Sequence, residues 1–185
     1  MSINEALVLM SGGIDSYACA HLLMSQGIDI HGIFIDHGQA ASLLERDSVE
    51  MISKLLGISI SYFSVVGGTK FASGELVGRN AFLISSALFL SPNKSGLIAI
   101  GIHSGTHYYD CSPNFLETMN RLIGEQTDGS TKVIAPFLQW TKSDIFDYFK
   151  ASDLSLDATH SCELGVKFGC GKCASCADRK SINAI

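Results

Sequence analysis

The sequence predicts an α/β fold built on a doubly wound parallel sheet. Short apolar runs alternate with amphipathic stretches along almost the whole chain, which is the pattern of strands joined by helical crossovers. The chain has 185 residues, of which 46% are hydrophobic and 17% charged, and no linker-like or low-complexity segment interrupts it. We therefore expect one globular domain that spans residues 1–185.

The first element is an apolar run at residues 6–10, which predicts a buried strand. The run stops at a Ser-Gly-Gly turn, and the amphipathic stretch that follows predicts a helix over residues 16–25. Gly27 marks the end of this helix. A strand, a tight loop and a helix start thus follow one another directly, an arrangement in which open α/β sheets bind ligands.

Four further apolar runs predict strands, the last of them short, at residues 30–36, 58–66, 97–102 and 133–135. Helical patterns follow at residues 43–56, 80–90, 113–123 and 141–150. Gly57 ends the first of these helices, Thr141 can cap the last, and residues 67–79 predict a glycine-rich loop. Because the carboxyl ends of parallel strands share one edge of the sheet, three segments should meet there: residues 11–16, 36–39 and 101–110.

The loop at residues 11–16 has the composition of an oxyanion site. Its two glycines let backbone N–H groups approach a phosphate closely, and the start of the following helix adds the positive end of its dipole. Ser11 and Ser16 can add hydroxyl donors. Asp15 would repel a bare phosphate, so it fits beside a magnesium-bound one or serves as a helix cap. The Gly-Lys-Ser/Thr ending of a Walker A loop is missing.

Four of the six cysteines have the spacing C-x7-C-x2-C-x2-C, namely Cys162, Cys170, Cys173 and Cys176. Thiolates at this spacing, with Gly169 and Gly171 between them, can converge on one ion, and four of them suit tetrahedral zinc. Because no coordination position is left open, the zinc would be structural and would fold a tail over residues 160–180. An iron–sulfur cluster is the main alternative, and free thiols are the simplest one.

Charge and composition exclude several classes of function. The formal net charge is −5 and no basic run is present, so direct contact with a nucleic-acid backbone is not expected. No segment has membrane-spanning length and no export signal is visible, which makes the cytoplasm the expected location. In that reducing compartment, cysteines serve as metal ligands or free thiols before disulfides.

Five stretches, taken in order, carry a more specific resemblance. They are Ser-Gly-Gly-x-Asp-Ser at 11–16, Gly-Arg-Asn at 78–80, Tyr-Asp-Cys at 109–111 followed by Pro-x-Phe, Thr-Lys-x-Asp at 141–144, and Ser-Cys at 161–162 leading into the later cysteines and Arg179. The first resembles the pyrophosphate loop (PP-loop) of ATP pyrophosphatases, which split ATP between the α and β phosphates. Together the five cover nearly the whole chain and resemble the 7-cyano-7-deazaguanine synthase (QueC) family of queuosine biosynthesis.

The resemblance implies a Rossmann-like domain of the adenine nucleotide α-hydrolase type and an ATP-dependent carbon–nitrogen ligase. In that family, the carboxylate of 7-carboxy-7-deazaguanine is adenylated, ammonia gives the amide, and a second ATP dehydrates the amide to the nitrile, preQ0. Adenylation supplies the leaving group that a carboxylate lacks, while the protein aligns the reactants and neutralises the departing pyrophosphate. The implied cofactors are ATP, Mg²⁺ and Zn²⁺.

The resemblance also assigns residues. ATP would contact the loop and the ends of the second and fourth strands, through Leu9, Met10, Ser11, Gly12, Gly13, Ile14, Asp15, Ser16, Asp36, Gln39 and Gly101. Three residues are placed in catalysis: Asp15 on Mg²⁺, Lys142 on an ATP phosphate, and Arg79 on phosphate or substrate. The deazapurine would contact Arg79, Asn80, Asp110 and Cys111, with the Asp110 carboxylate accepting hydrogen bonds from the guanine-like edge.

Simpler roles stay open for several of these residues: a solvated loop for Asp36 and Gln39, a solvated side chain for Lys142, an ion pair for Arg79 and a turn for Asp110. No base adjoins Cys111 to make it a nucleophile. Three histidines at strand ends lack ligand spacing and are expected to be pocket or loop residues: His37, His103 and His107.

The chain departs from the family on the acceptor side. Residues 37–41 read His-Gly-Gln-Ala-Ala and lack the usual Arg-His pair, Val77 replaces the usual Pro, and Ser112 replaces a basic residue. The chain is also shorter between residues 66 and 76, which would leave the site more open. Two alternatives therefore remain. One is an enzyme that transfers an adenylated deazapurine or another carboxylate to an amine on a partner protein and stops at the amide, and the other is a nucleotide- or deazapurine-binding module without turnover. The oligomeric state, including a homodimer, also stays open.

Overall fold

A computed structural model of the protein describes residues 4–65, 71, 74–91 and 96–184. The strands are β1 (Glu5–Leu9), β2 (Asp29–Asp36), β3 (Ser59–Ser64), β4 (Gly96–Ala99) and β5 (Thr131–Ile134). The helices are α1 (Ile14–Ser25), α2 (Ser42–Leu56), α3 (Arg79–Leu90), α4 (Pro113–Gln126), α5 (Lys142–Ala151) and α6 (Ala174–Ser181). Two short 3₁₀ turns lie at Tyr109–Cys111 and Leu156–Ala158.

The strands form one parallel sheet in the order β3-β2-β1-β4-β5. The chain builds outward from β1 to β3, then crosses back and places β4 on the other side of β1. In the register, Ala6 of β1 stands between Ile30 of β2 and Leu97 of β4. The strand order therefore reverses between β1 and β4, and the predicted doubly wound parallel sheet is confirmed.

Helices cover both faces of the sheet. On one face α1, α2 and α5 bury a cluster that includes Val8, Val49 and Phe149. On the other face α3 and α4 bury a cluster that includes Leu9 and Ile84. Because successive residues of β1 point into different clusters, the strand needs apolar residues on both sides, as its sequence shows from Ala6 to Leu9.

Some boundaries differ from the sequence prediction. The first helix begins at Ile14 rather than at residue 16, and β4 ends at Ala99, three residues earlier than expected. The helix α6 was not predicted. All eight of its residues are described and none of them is buried, so its sequence has no apolar face that would indicate a helix. The predicted loop at 67–79 lies partly outside the described residues.

The described helices include none with the length and apolar character that a membrane crossing requires.

Candidate active site

A cavity of about 350 Å³ lies at the carboxyl ends of β1, β2 and β4, where the strand order reverses. Thirteen of the residues predicted for the site line it: Leu9, Met10, Ser11, Gly13, Ile14, Asp15, Ser16, Gln39, Arg79, Asn80, Gly101, Cys111 and Lys142. Three others, all within the described part of the chain, do not contribute to the lining: Gly12, Asp36 and Asp110. The predicted nucleotide loop and three of the four predicted acceptor residues thus share one cavity.

The loop between β1 and α1 is held by the buried Ser16 hydroxyl. This oxygen accepts a hydrogen bond from the Ser11 N–H at 3.2 Å and donates to the Gly13 carbonyl at 3.1 Å. Gly13 directly precedes α1, and no side chain of the described residues caps the helix. The N–H groups of its first turn are therefore available to an anion, as the sequence predicts for a phosphate loop.

Two glycines let neighbouring segments press against this loop. Gly12 has φ +75°, and a Cβ there would lie 2.6 Å from the Glu45 carbonyl oxygen of α2. A Cβ on Gly101, just after β4, would lie 2.8 Å from the Asp15 carbonyl oxygen. Any larger side chain at either position would push the loop away from its supports.

Asp15 pairs with Lys142, a residue 127 positions later in the chain. The Lys142 ammonium nitrogen lies 2.6 Å from both carboxylate oxygens, and about a quarter of each side chain is exposed. Asp15 is therefore not the cap of α1. Lys142 is the first residue of α5, whose start is fixed by Thr141 and Asp144 in a reciprocal capping box. These bonds also lower the pKa of the Asp144 carboxyl.

The side of the cavity that Arg79, Asn80 and Cys111 line, the acceptor wall, is built around the start of α3. The Asn80 side chain donates to the Asp110 carbonyl at 3.0 Å, and the Asp110 carboxylate accepts from the Asn80 N–H at 3.3 Å. The Asp110 carboxylate thus satisfies a free N–H group of α3. Burial raises the pKa of the Cys111 thiol, which keeps it protonated at neutral pH.

At the end of β2, Asp36 and Gln39 bond within their own neighbourhood. The Asp36 carboxylate accepts from the Gly38 N–H at 2.9 Å, which closes a turn. The Gln39 side chain donates to the Glu45 carboxyl at 2.7 Å, and burial raises the pKa of Glu45. Glu45 lines the cavity but was missed, because an acidic residue on an amphipathic helix usually indicates a solvated face.

Three histidines were expected to be pocket or loop residues, and of these His103 lines the cavity. The ring is buried, and its Nδ1 accepts from the Gly105 N–H at 3.2 Å. Burial lowers the pKa of the imidazole, so the ring is neutral at pH 7 and carries its remaining proton on Nε2. His37 also lines the cavity, whereas the described residue His107 does not.

The C-terminal segment, residues 159–182, closes the cavity from the other side. The His160 N–H donates to the Gly12 carbonyl in the loop at 2.9 Å. The Glu163 carboxylate accepts from the Gly74 N–H at 3.0 Å, ahead of α3, and from Ser175 at the start of α6. Arg179 and Asp178 also reach the lining. The sequence carried a signal for Arg179 within the family motif, but it did not assign a role.

The four predicted metal ligands come together within this segment. Their sulfur atoms all lie within 4.8 Å of one another, and Cys170 and Cys176 are 3.9 Å apart. Backbone N–H groups of Lys172 and Cys173 point at the Cys170 sulfur and lower the pKa of that thiol to about 6. Four ligands around one tetrahedral ion at about 2.3 Å would lie about 3.8 Å apart, so the geometry fits a single ion.

The parallel sheet and the Ser-Gly-Gly-x-Asp-Ser loop at its switch point are those of the PP-loop class of α/β proteins. Among solved structures, the fold is similar to the U34-tRNA thiolase NcsA from Methanococcus maripaludis, with a TM-score of 0.61 at 15% identity over 98% of this chain and 65% of that chain. It is also similar to NMN synthetase from Francisella tularensis, with a TM-score of 0.54 at 16% identity over 94% of this chain and 71% of that chain. At these identities the likeness concerns the fold alone.

The family follows from sequence comparison. The profile described as "Queuosine biosynthesis protein QueC" matches residues 71–183, and that of "Thiamine biosynthesis protein (ThiI)" matches residues 1–66. The chain belongs to the QueC family, whose members are PP-loop ATP-dependent ligases.

Two curated relatives, both named 7-cyano-7-deazaguanine synthase, match over nearly the full length. The one from Marinomonas sp. (strain MWYL1) is 28% identical over 95% of this chain and 91% of its own length. The one from Methanoculleus marisnigri is 27% identical over 96% and 93%.

Proposed function

We propose that the protein activates the carboxylate of 7-carboxy-7-deazaguanine with ATP and converts it to the amide and then the nitrile. The observation that carries this proposal is the single cavity lined both by the phosphate loop and by Arg79, Asn80 and Cys111. A nucleotide and a second substrate can meet there with their reacting atoms adjacent. The full-length match to relatives named 7-cyano-7-deazaguanine synthase supports the choice of substrate.

The phosphate loop provides the nucleotide side of the reaction. The uncapped first turn of α1 offers N–H donors, and the dipole of α1 favours negative charge at the same place. The carboxylate oxygen attacks the α-phosphorus, the bond to the β-phosphate breaks, and pyrophosphate leaves. The donors are fixed before the reaction begins, so they stabilise the developing charge without reorganising.

Asp15 and Lys142 lie where the charge of the phosphates must be balanced. Asp15 already holds one cation, the Lys142 ammonium at 2.6 Å, so this position suits a carboxylate ligand of Mg²⁺. Bound Mg²⁺ would supply positive charge to the leaving pyrophosphate. Lys142, released from Asp15, would turn its ammonium to a phosphate oxygen.

The acceptor wall provides the substrate side. Arg79 belongs to none of the ion pairs that the described residues form, so its guanidinium is available to a carboxylate. Asn80 lines the cavity at the start of α3, and Asp110 holds it there from outside the lining. The Asn80 amide suits the donors and acceptors of a guanine-like edge. Glu45, held by Gln39, offers a carboxyl group on the same cavity.

No side-chain nucleophile is required. Ammonia attacks the acyl carbon of the adenylate, and AMP leaves with the oxygen that came from the carboxylate. The protonated Cys111 thiol and the neutral His103 ring fit this scheme, because neither adds a competing nucleophilic anion to the cavity. In the second round, the amide oxygen takes the place of the carboxylate oxygen and leaves with AMP, which gives the nitrile.

For the metal site we propose one structural Zn²⁺ per chain, held by the four cysteines. The support for zinc is the close grouping of the four sulfur atoms, within 4.8 Å, because in a [4Fe–4S] cluster each cysteine binds a different iron and the sulfurs spread apart. With four thiolate ligands, Zn²⁺ has no open position for substrate. It would fold the C-terminal segment rather than take part in the reaction.

The test is an end-point and time-course assay with purified protein, ATP, Mg²⁺, 7-carboxy-7-deazaguanine and ammonium, read by mass spectrometry. We expect AMP and pyrophosphate, formed only when the carboxylate substrate is present, with the amide accumulating before the nitrile. ADP and orthophosphate as primary products would contradict the proposal. Unchanged ATP and substrate would favour a binding module, and an amide that never becomes nitrile would favour transfer to another amine.

A further inference from the structure

Arg179 of α6 is a partly buried cation without a carboxylate partner. The ion pairs within the described residues are Arg46–Glu50, Lys142–Asp15 and Lys150–Asp147, and Arg179 is not among them. Its Nε atom is buried and has no hydrogen-bond partner among the described residues. Its side chain nevertheless lines the cavity that holds the phosphate loop.

The orientation of the guanidinium is fixed from behind. Its Nη2 donates to the Thr159 hydroxyl oxygen and, at 3.5 Å, to the Leu156 carbonyl. The Thr159 hydroxyl donates its own hydrogen bond to the same Leu156 carbonyl at 2.7 Å, so its oxygen acts as an acceptor for Arg179. Both hydrogen-bond acceptors are neutral oxygens, and the Cys176 sulfur and the Asp157 carboxylate attract the guanidinium without an ion-pair contact. A partly buried guanidinium without a direct anionic partner is stabilised when an anion reaches it.

The neighbouring contacts show which part of the cavity Arg179 serves. Thr159 directly precedes His160, whose N–H donates to the Gly12 carbonyl of the phosphate loop at 2.9 Å. Arg179 also lies three residues after the metal ligand Cys176, one turn along α6, so the metal segment sets its position. The guanidinium is therefore anchored beside the phosphate loop, whereas Arg79 starts α3 on the acceptor wall.

We propose that Arg179 binds the β- and γ-phosphates of ATP and holds the pyrophosphate as it leaves. This role goes beyond the loop residues predicted for ATP and rests on the proposed AMP-forming cleavage. A planar guanidinium suits this task because it presents several N–H donors to phosphate oxygens and stays charged at every working pH. It would neutralise the charge of the β- and γ-phosphates, which the AMP product no longer carries.

The test compares the binding of inorganic pyrophosphate with that of AMP, each with Mg²⁺, by calorimetry or by inhibition of ATP cleavage. The variants are Arg179→Gln, Arg179→Lys and, as a matched control, Arg121→Gln, which changes an exposed arginine of α4. We expect Arg179→Gln to weaken pyrophosphate and ATP binding about tenfold to a hundredfold and AMP binding less than twofold. Arg179→Lys should fall between, and Arg121→Gln should match the wild type.

The outcomes separate this inference from the proposed function. A wild-type protein that binds no ATP, or that forms ADP, overturns the proposed cleavage whatever the variants do. A wild-type protein that binds pyrophosphate no better than Arg179→Gln overturns the role of Arg179 alone. An equal loss of AMP and pyrophosphate binding also overturns it, because that pattern indicates a purely structural residue.

A second variant covers the case in which Arg179→Gln does not fold. Thr159→Val keeps the shape and the arginine but removes the oxygen that orients the guanidinium. We expect pyrophosphate binding to weaken about twofold to tenfold with AMP binding unchanged. Unchanged pyrophosphate binding in a folded, metal-loaded Thr159→Val protein would contradict the inference.

Discussion

The phosphate loop and the C-terminal segment (residues 159–182) face each other across one cavity, but they are held in different ways. The loop is fixed by near neighbours in the chain, such as Ser16, and by close backbone packing at Gly12. The segment is tied by polar contacts from His160 and Glu163, and its helix α6 buries none of its described residues. The loop is therefore a property of the sheet, whereas we expect the segment to depend for its order on the metal ion proposed for its four cysteines.

The largest expected effect tests the loop itself. Asp15→Asn keeps the shape of the side chain but removes the charge that pairs with Lys142 at 2.6 Å. We expect AMP formation to fall by about 10²–10³-fold or more, because the pair lies where charge develops. The matched control is Asp147→Asn, which breaks the exposed pair with Lys150 and should leave AMP formation unchanged. Equal activity in both variants would show that Asp15 takes no part in the reaction.

A second prediction tests whether packing fixes the loop. Gly12→Ala introduces a Cβ 2.6 Å from the Glu45 carbonyl at a φ of +75°, whereas Gly27→Ala, at a φ of +79°, meets nothing within 4 Å. In both variants the free energy of unfolding should fall by about 1–2 kcal/mol, because alanine disfavours the left-handed backbone conformation. Only Gly12→Ala should also weaken ATP binding, on the order of 10²-fold, because it displaces the loop. Calorimetric binding with parallel thermal unfolding checks both; equal ATP affinity in the two would contradict the packing argument.

A third prediction tests the dependence of the segment on metal. Cys173→Ser should lose the metal ion proposed for the four cysteines, while Cys19→Ala, which changes a cysteine of the core, should keep it. Hydrogen exchange should rise across residues 159–182 and stay low in the sheet. ATP binding should weaken about tenfold, because His160 would no longer hold Gly12. Elemental analysis reads the metal directly; iron with acid-labile sulfide would point to a cluster instead of zinc.

The smallest effect concerns pH. Burial lowers the pKa of His103 below its ordinary value of about 6.5, so folding disfavours the charged ring. The stability that this neutral ring contributes is complete above about pH 6.5 and is lost as the pH falls toward the folded-state pKa. The change should stay below about 1 kcal/mol, because the negative charge of Asp15 attracts the protonated ring and offsets part of the effect of burial. Urea unfolding at pH 7.5 and 5.5 should show a smaller acid loss in His103→Gln than in the wild type; an equal loss would contradict the burial argument.

The same difference between the two regions explains what the sequence could predict. The strands and the phosphate loop depend on local patterns, and the predicted fold, the family and the grouping of the four cysteines are confirmed. The pairing of Asp15 with Lys142 joins residues 127 positions apart, which no local pattern encodes. Glu45 and the helix α6 were missed for a related reason, because their polar residues indicate solvent and only the folded chain turns them toward a cavity.

The most direct test of the account follows one oxygen atom. If both substrates meet in the shared cavity, the carboxylate oxygen attacks the α-phosphorus and leaves with AMP. With 7-carboxy-7-deazaguanine labelled with ¹⁸O in both carboxylate positions, mass spectrometry should find one ¹⁸O in each AMP and none in the pyrophosphate. Label in pyrophosphate or orthophosphate, or AMP without label while amide accumulates, would contradict adenylation of the carboxylate.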